Sequence, residues 1–205
     1  QSIDEDTVFT YTLTATDVDD TELLYSATVD GSASVDVTGS TLTITPELDF
    51  NGDIVVDVSV SDGVLTDTNN FTLSVFPVND APLLTDIPDQ SIDEDTVFTY
   101  TLTATDVDDT ELLYSATVDG NASVDVTGST LTITPDLDFN GDILVDVSVS
   151  DGVLTDTNSF TLSVLPVNDA PVLTDIPDQS IDEDTVFTYT LTATDVDDTE
   201  LLYSA

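Results

Sequence analysis

The sequence predicts an all-β protein built from tandem seven-stranded sandwiches, and three observations predict it. A block of 89 residues recurs almost unchanged, hydrophobicity alternates with a period of two along most of it, and no 3.6-residue pattern competes. Gln1-Ser2-Ile3-Asp4-Glu5-Asp6-Thr7 returns at 90–96 and again at 179–185. Residues 1–89 and 90–178 differ at six positions: Ser32/Asn121, Glu47/Asp136, Val55/Leu144, Asn70/Ser159, Phe76/Leu165 and Leu83/Val172. Such a period exceeds solenoid repeats of about 20–50 residues and matches an independent domain. The expected division is a first repeat over 1–79 with a truncated first strand, a complete repeat over 80–168, and a partial one over 169–205. The partial repeat is too short to bury a core alone. Either the chain is a window on a longer one, or neighbouring chains complete its ends.

Within the complete copy the first strand is expected over roughly 83–92. The second covers Phe98–Ala104, where Phe, Tyr, Leu and Ala alternate with Thr, putting the apolar residues on one face. The same pattern gives strands at Leu113–Val118, Ser123–Val126, Thr130–Thr134, Ile143–Val149 and Phe160–Val164. Seven short strands separated by Asp, Gly and Asn turns in about 90 residues describe an immunoglobulin-like Greek-key sandwich. Tyr11, Tyr100 and Tyr189 fall on the apolar face and are expected in the core. Asp125, Asp146 and Asp156 read as exposed-face or turn residues.

Strand parity places the loops. If each strand runs antiparallel to the one before, seven strands leave the two ends of a repeat at opposite poles, so copies stack head to tail. The turn after the first strand (Asp93-Glu94-Asp95), the loop between the fifth and sixth (137–142) and the segment after the seventh (Asn168-Asp169) then share one pole. Asp106-Val107-Asp108-Asp109 and Ser150-Asp151-Gly152 share the other. Where one repeat abuts the next, five acidic segments are expected to converge.

Composition restricts the chemistry of that convergence. The chain has 43 acidic residues, no Lys, Arg, His, Cys, Met or Trp, and a net charge of −43. Without those side chains most nucleophiles, general bases and electrostatic clamps are missing, so no enzyme is expected. A carboxylate-pair glycosidase would need a deep, aromatic-lined sugar cleft, of which the sequence gives no sign. The charge excludes direct contact with nucleic-acid phosphates and opposes binding to an anionic membrane surface. No apolar run approaches the ~18 residues of a membrane span. Two carboxylates 4 Å apart repel by about 4 kcal/mol at an effective dielectric of ~20. A cation must come from outside, and carboxylate, amide and carbonyl oxygens without thiol or imidazole favour Ca2+. Magnesium would demand stricter octahedral geometry. An EF-hand is ruled out, because counting from Asp106 its obligatory glycine position holds Glu111.

Val78-Asn79-Asp80-Ala81-Pro82, Ala104-Thr105-Asp106-Val107-Asp108, Leu137-Asp138 and Ser150-Asp151-Gly152 occur in one order along the repeat. Together they resemble the calcium-binding motifs of cadherin domains, and more closely the cadherin-like tandem repeats of large bacterial surface proteins and adhesins. The resemblance implies a first junction with Glu5, Asp49, Asn51, Asn79 and Asp80 on one side and Asp106, Asp108 and Asp151 on the other. It implies a second with Glu94, Asp138, Asn140, Asn168, Asp169, Asp195 and Asp197, and leaves Asp17, Asp19 and Asp62 facing a preceding domain. The chain departs from the family at Pro77, where an acid is usual, at Ala81, where Asn is usual, and at Asn51 and Asn140, where Glu is usual. It also lacks the N-terminal Trp that vertebrate classical cadherins use for strand exchange.

The expected function is a calcium-rigidified extender of an extracellular surface adhesin or fibre. Its partners would be further copies of the repeat, in the same long chain or in neighbouring chains whose edge strands complete a truncated domain. The alternatives are an adhesive module that itself binds carbohydrate or protein, and a salt-adapted structural domain without specific calcium sites.

Overall fold

The computed structural model describes residues 1–204, which are strands, turns and irregular loops with no helix among them. The chain divides into two compact units, Gln1–Asp80 and Ala81–Ala205.

The first unit contains β1 (Ser2–Asp4), β2 (Phe9–Thr12), β3 (Leu24–Val29), β4 (Ala33–Thr38), β5 (Thr41–Pro46), β6 (Gly52–Ser61) and β7 (Thr66–Phe76). One sheet runs β1-β7-β6-β3 and the other β2-β5-β4. All pairings are antiparallel except β1 with β7, which is parallel from Ser2↔Ser74 to Asp4↔Phe76. Alternation decides which side chains go inside. Leu42 and Ile44 on β5, Ile54 and Val56 on β6, and Leu73 and Val75 on β7 are buried, while Thr43, Val55 and Ser74 between them are exposed or half-buried.

The second unit repeats this plan in β8 (Leu83–Leu84), β9 (Gln90–Asp93), β10 (Phe98–Thr101), β11 (Ala104–Thr105), β12 (Leu113–Val118), β13 (Ala122–Thr127), β14 (Thr130–Pro135), β15 (Gly141–Ser150) and β16 (Thr155–Leu165). Its sheets are β12-β15-β16-β9 and β10-β14-β13, with β8 paired to β11. Phe98 and Phe160 meet across the core with ring centroids 6.1 Å apart. The continuous first strand expected over 83–92 is two pieces. β8 pairs antiparallel with β11, and β9 crosses to the other sheet to pair in parallel with β16. Pro88 lies in the break, where a residue without an N–H cannot serve a ladder. The second strand is likewise split into β10 and β11.

The last stretch of the second unit holds β17 (Val172–Leu173) and β18 (Ala193–Thr194), a two-residue antiparallel ladder. Here the expectation that the tyrosines lie in the core meets a correction. Tyr100 packs half-buried against the second core, but Tyr11 and Tyr189 are about half exposed. Tyr100 packs against a cluster that includes Leu84 and Ile87, whereas Tyr11 lies outside the cluster of the first unit.

Candidate metal centre

Three loops of the second unit bring their acids together. After β9 the chain turns through Asp95, whose φ of 60° is left-handed, and Thr96 Oγ1 ties the turn by donating to Asp93 O. Between β14 and β15, Asp138 adopts φ 57° and its N–H donates to Asp95 Oδ1 at 3.1 Å. Phe139 packs against the core below this loop and holds it down. Gly141 follows with φ +140°, a conformation that favours glycine, and a Cβ there would also crowd the Phe139 ring at 3.2 Å. Beyond β16, Asp169 completes the group. One carboxylate oxygen from each of Asp95, Asp138 and Asp169 lies within 4.8 Å of the others.

Glu94 lies beneath this group and is 3% exposed. Its Oε1 accepts from Val167 N–H and its Oε2 from Asn140 Nδ2 at 3.4 Å, so one buried carboxylate fixes both the outgoing linker and the β14–β15 loop. Asn168 Nδ2 donates to Asp169 O at 2.8 Å, and Asp169 N–H donates to Asp197 Oδ2 at 2.6 Å. Asp195 Oδ1 receives the N–H groups of Asp197 and Asp198, which shapes the loop that carries Asp197. Thus the turn after β9, the β14–β15 loop, the linker and the loop after β18 meet.

The electrostatics are one-sided. Burial pushes the Asp138 carboxyl above the ordinary range, and the charges of Asp95, Glu94 and Asp197 push it the same way. Asp169 is raised by burial and then by Asp138, Asp197, Asp95 and Glu94. Asp169 Oδ2 is buried and accepts no hydrogen bond. Raised carboxyls and an orphaned oxygen, all from hard donors, describe a cluster that a divalent cation fits.

The first unit repeats the arrangement with Asp6, Asp49 and Asp80, again with one oxygen from each within 4.8 Å of the others. Asp6 and Asp49 have φ near 60°, Asp49 N–H donates to Asp6 Oδ1, and buried Glu5 accepts from Val78 N–H. Asn79 Nδ2 donates to Asp80 O, and Asn51 is exposed in the β5–β6 loop.

Several remaining candidates shape their own loops. Asp17 Oδ1 receives the N–H groups of Asp19 and Asp20, and Asp106 Oδ1 those of Asp108 and Asp109. Asp151 Oδ1 receives those of Val153 and Leu154. Asp62 does the same for Leu65 and Val64, and these bonds hold its carboxyl below the ordinary range. Sequence reasoning missed Asp6 and Asp95 as individual candidates. Each stands in a run of three acids whose members composition cannot tell apart. The left-handed turn directs the third into the cluster and leaves the middle one, Glu5 or Glu94, buried below.

Comparison with known proteins bears on this geometry. Residues 78–165 match the family model described as a cadherin-like domain. Residues 1–76 duplicate residues 90–165 of that stretch with five differences. No curated protein matches the chain. Among solved structures, human protocadherin-24 EC1-2 is similar at TM-score 0.46 and 17% identity, over 76% of this chain and 87% of that one. PcdhgB3 EC1-4 is similar at TM-score 0.47 and 16% identity, over 96% and 56%. An endo-fucoidan hydrolase of glycoside hydrolase family 107 is similar at TM-score 0.35 and 17% identity, over 82% of this chain, which spans 27% of that enzyme's length.

Proposed function

We propose that the chain is a non-catalytic, calcium-rigidified extender of an extracellular surface adhesin or fibre. The observation that supports this reading is the repeated triad of carboxylates, Asp6-Asp49-Asp80 and Asp95-Asp138-Asp169, in a chain without a cationic side chain. In the second unit Glu94, Asn140, Asn168 and Asp197 would surround the ion, with Asp195 positioning Asp197. For the first triad the corresponding set within its unit would be Glu5, Asn51 and Asn79, and Asp17, Asp19 and Asp62, like Asp106, Asp108 and Asp151, would serve at the other pole of their repeats. Bound calcium would cancel the repulsion that raises Asp138 and Asp169. It would also tie the linker after β16 to loops on either side of it, turning a hinge into a brace.

Near-identity between copies suits a spacer, where length matters more than individual binding surfaces. Extracellular calcium modules bind at about 10⁻⁴–10⁻³ M, so the stiffness would follow the calcium of the surroundings. At 100 Kd of free calcium each site adds about 2.7 kcal/mol to the folded form. That corresponds to a rise in Tm of roughly 10–20 °C for a domain of this size.

The test is calorimetry and small-angle scattering of the chain in calcium and in EGTA at constant ionic strength. The expected result is a large calcium-dependent rise in Tm with a longer, stiffer particle. Stabilisation by molar salt with no response to calcium would overturn the reading in favour of a salt-adapted structural domain.

A further inference from the structure

Eight asparagines occur in the chain, and only Asn51 and Asn140 precede a glycine. Both pairs fall in the loop that carries one acid of a carboxylate triad, with the asparagine two residues past Asp49 or Asp138. In each pair both residues are exposed, and the glycine is the first residue of β6 or β15, where a ladder begins to fray. The glycine serves the fold. Its φ is +138° or +140°, and a Cβ would crowd the ring of Phe50 or Phe139. A conformation that favours glycine therefore directly follows an exposed side-chain amide.

Such a pair is chemically labile. A backbone nitrogen can attack the amide carbon of the asparagine before it, and glycine obstructs the attack least because it has no side chain. The Gly141 nitrogen gives its proton to hydroxide and bonds to Asn140 Cγ, and the side-chain nitrogen departs as ammonia, which closes a cyclic imide. Water then opens the imide at either carbonyl and leaves aspartate or isoaspartate. The sum is an amide and a water converted to a carboxylic acid and ammonia, with no change of oxidation state.

The other candidates for this ring closure are held back. Four Asp-Gly pairs, at Asp30, Asp62, Asp119 and Asp151, carry an ionised carboxylate, which is a poor electrophile. Each of those carboxylates also accepts a backbone N–H that fixes it in its own loop. Asn121 is exposed in the β12–β13 turn, but it precedes Ala122.

We infer that Asn51-Gly52 and Asn140-Gly141 are modification sites, where spontaneous hydrolysis of the amide adds a carboxylate to each acidic cluster as the protein ages. Asn140 Nδ2 donates to Glu94 Oε2 at 3.4 Å, and Glu94 is 3% exposed. Conversion deletes that donor and sets a new negative charge beside a buried one, in the loop that already carries Asp138. The change runs one way, so the charge of the loop records the age of the unit. The inference rests on the acidic clusters and not on calcium, so a chain indifferent to calcium leaves it standing.

Incubating the full chain in mildly alkaline buffer with EGTA, followed by peptide mapping with mass spectrometry and by thermal melts, tests this. Peptides holding Asn51 and Asn140 should gain the mass of amide-to-acid conversion about fivefold faster than the peptide holding Asn121, the advantage that glycine has over alanine in reaching the ring conformation. The rate should rise with pH, because hydroxide removes the glycine proton. N51Q/N140Q keeps both amides but would need a larger ring, and it should stop the gain. N51D/N140D carries the added charge from the start and should melt lower in EGTA than the parent chain. The parent's own Tm should fall on incubation, while that of N51Q/N140Q holds. Equal rates at Asn51, Asn140 and Asn121, or a gain in mass that N51Q/N140Q does not stop, would overturn the assignment of the sites. Conversion at both sites with no fall in Tm would overturn their coupling to the acidic clusters.

Discussion

Glu94 and Asp138 do opposite things with the same functional group. Glu94 is satisfied: its buried carboxylate takes the Val167 N–H and the Asn140 amide. Glu94→Ala strands Val167 N–H and is expected to destabilise the second unit by about 1–3 kcal/mol with or without calcium, read by urea denaturation. Asp138 and Asp169 are strained electrostatically. Their folded forms hold a proton above the ordinary carboxyl value of 3.8, so the stability they contribute is complete below that value and is lost as pH rises through the raised ones. In EGTA the second unit is therefore expected to become more stable as pH falls from neutral toward that range. Asp62 in the first unit is lowered, so its contribution is present above 3.8 and lost as pH falls through its folded value. Asp138→Asn should raise the Tm in EGTA, flatten the pH dependence of the second unit, and shrink the gain from calcium. A Tm that is unchanged in EGTA would show that the repulsion is not felt.

At the level of strands, equivalent residues of the two units are buried to different extents. Phe160 is buried against Phe98, and Phe160→Ala should cost about 3–5 kcal/mol. The equivalent Phe71→Ala should cost clearly less, because Phe71 keeps part of its surface in water. Thermal melts of the two variants check this. Most of the strands were legible because Thr alternates with Val, Ile and Leu along one face, and parity alone brought Asp95, Asp138 and Asp169 to one pole. The split of the first strand was not legible in the same way. Leu83–Ile92 was read as one strand although Pro88 interrupts it, and that its two ends pair in different sheets shows only in the tertiary pairing. Nor could periodicity choose among Asp93, Glu94 and Asp95, since alternation loses meaning once φ turns positive. The cation-free composition was plain from the start, and it is what gives the cluster its meaning.

For the whole chain, the two units should not melt together. The core of the second unit holds Leu84, Ile87 and Leu102 besides the residues it shares with the first, and burial of each adds about 1.5–3 kcal/mol. Calorimetry in EGTA is expected to resolve two transitions, the first unit melting below the second. A single transition at all conditions would mean that the units are coupled more strongly than their separate cores require.

The parallel pairing of β1 with β7, and of β9 with β16, settles how each unit meets a mechanical load. In the first unit tension passed along the polypeptide enters just ahead of β1 and leaves just after β7, and in the second it reaches β9 once the segment that carries β8 has been pulled from β11. Because the two strands of each parallel pair lie side by side and point the same way, the pull slides one along the other. Every hydrogen bond from Leu162↔Gln90 to Leu165↔Asp93 is then strained together, not opened one after another from an end. Such units linked in series and pulled from their ends would rupture at a shear clamp in each one, and the strength would repeat with the sequence.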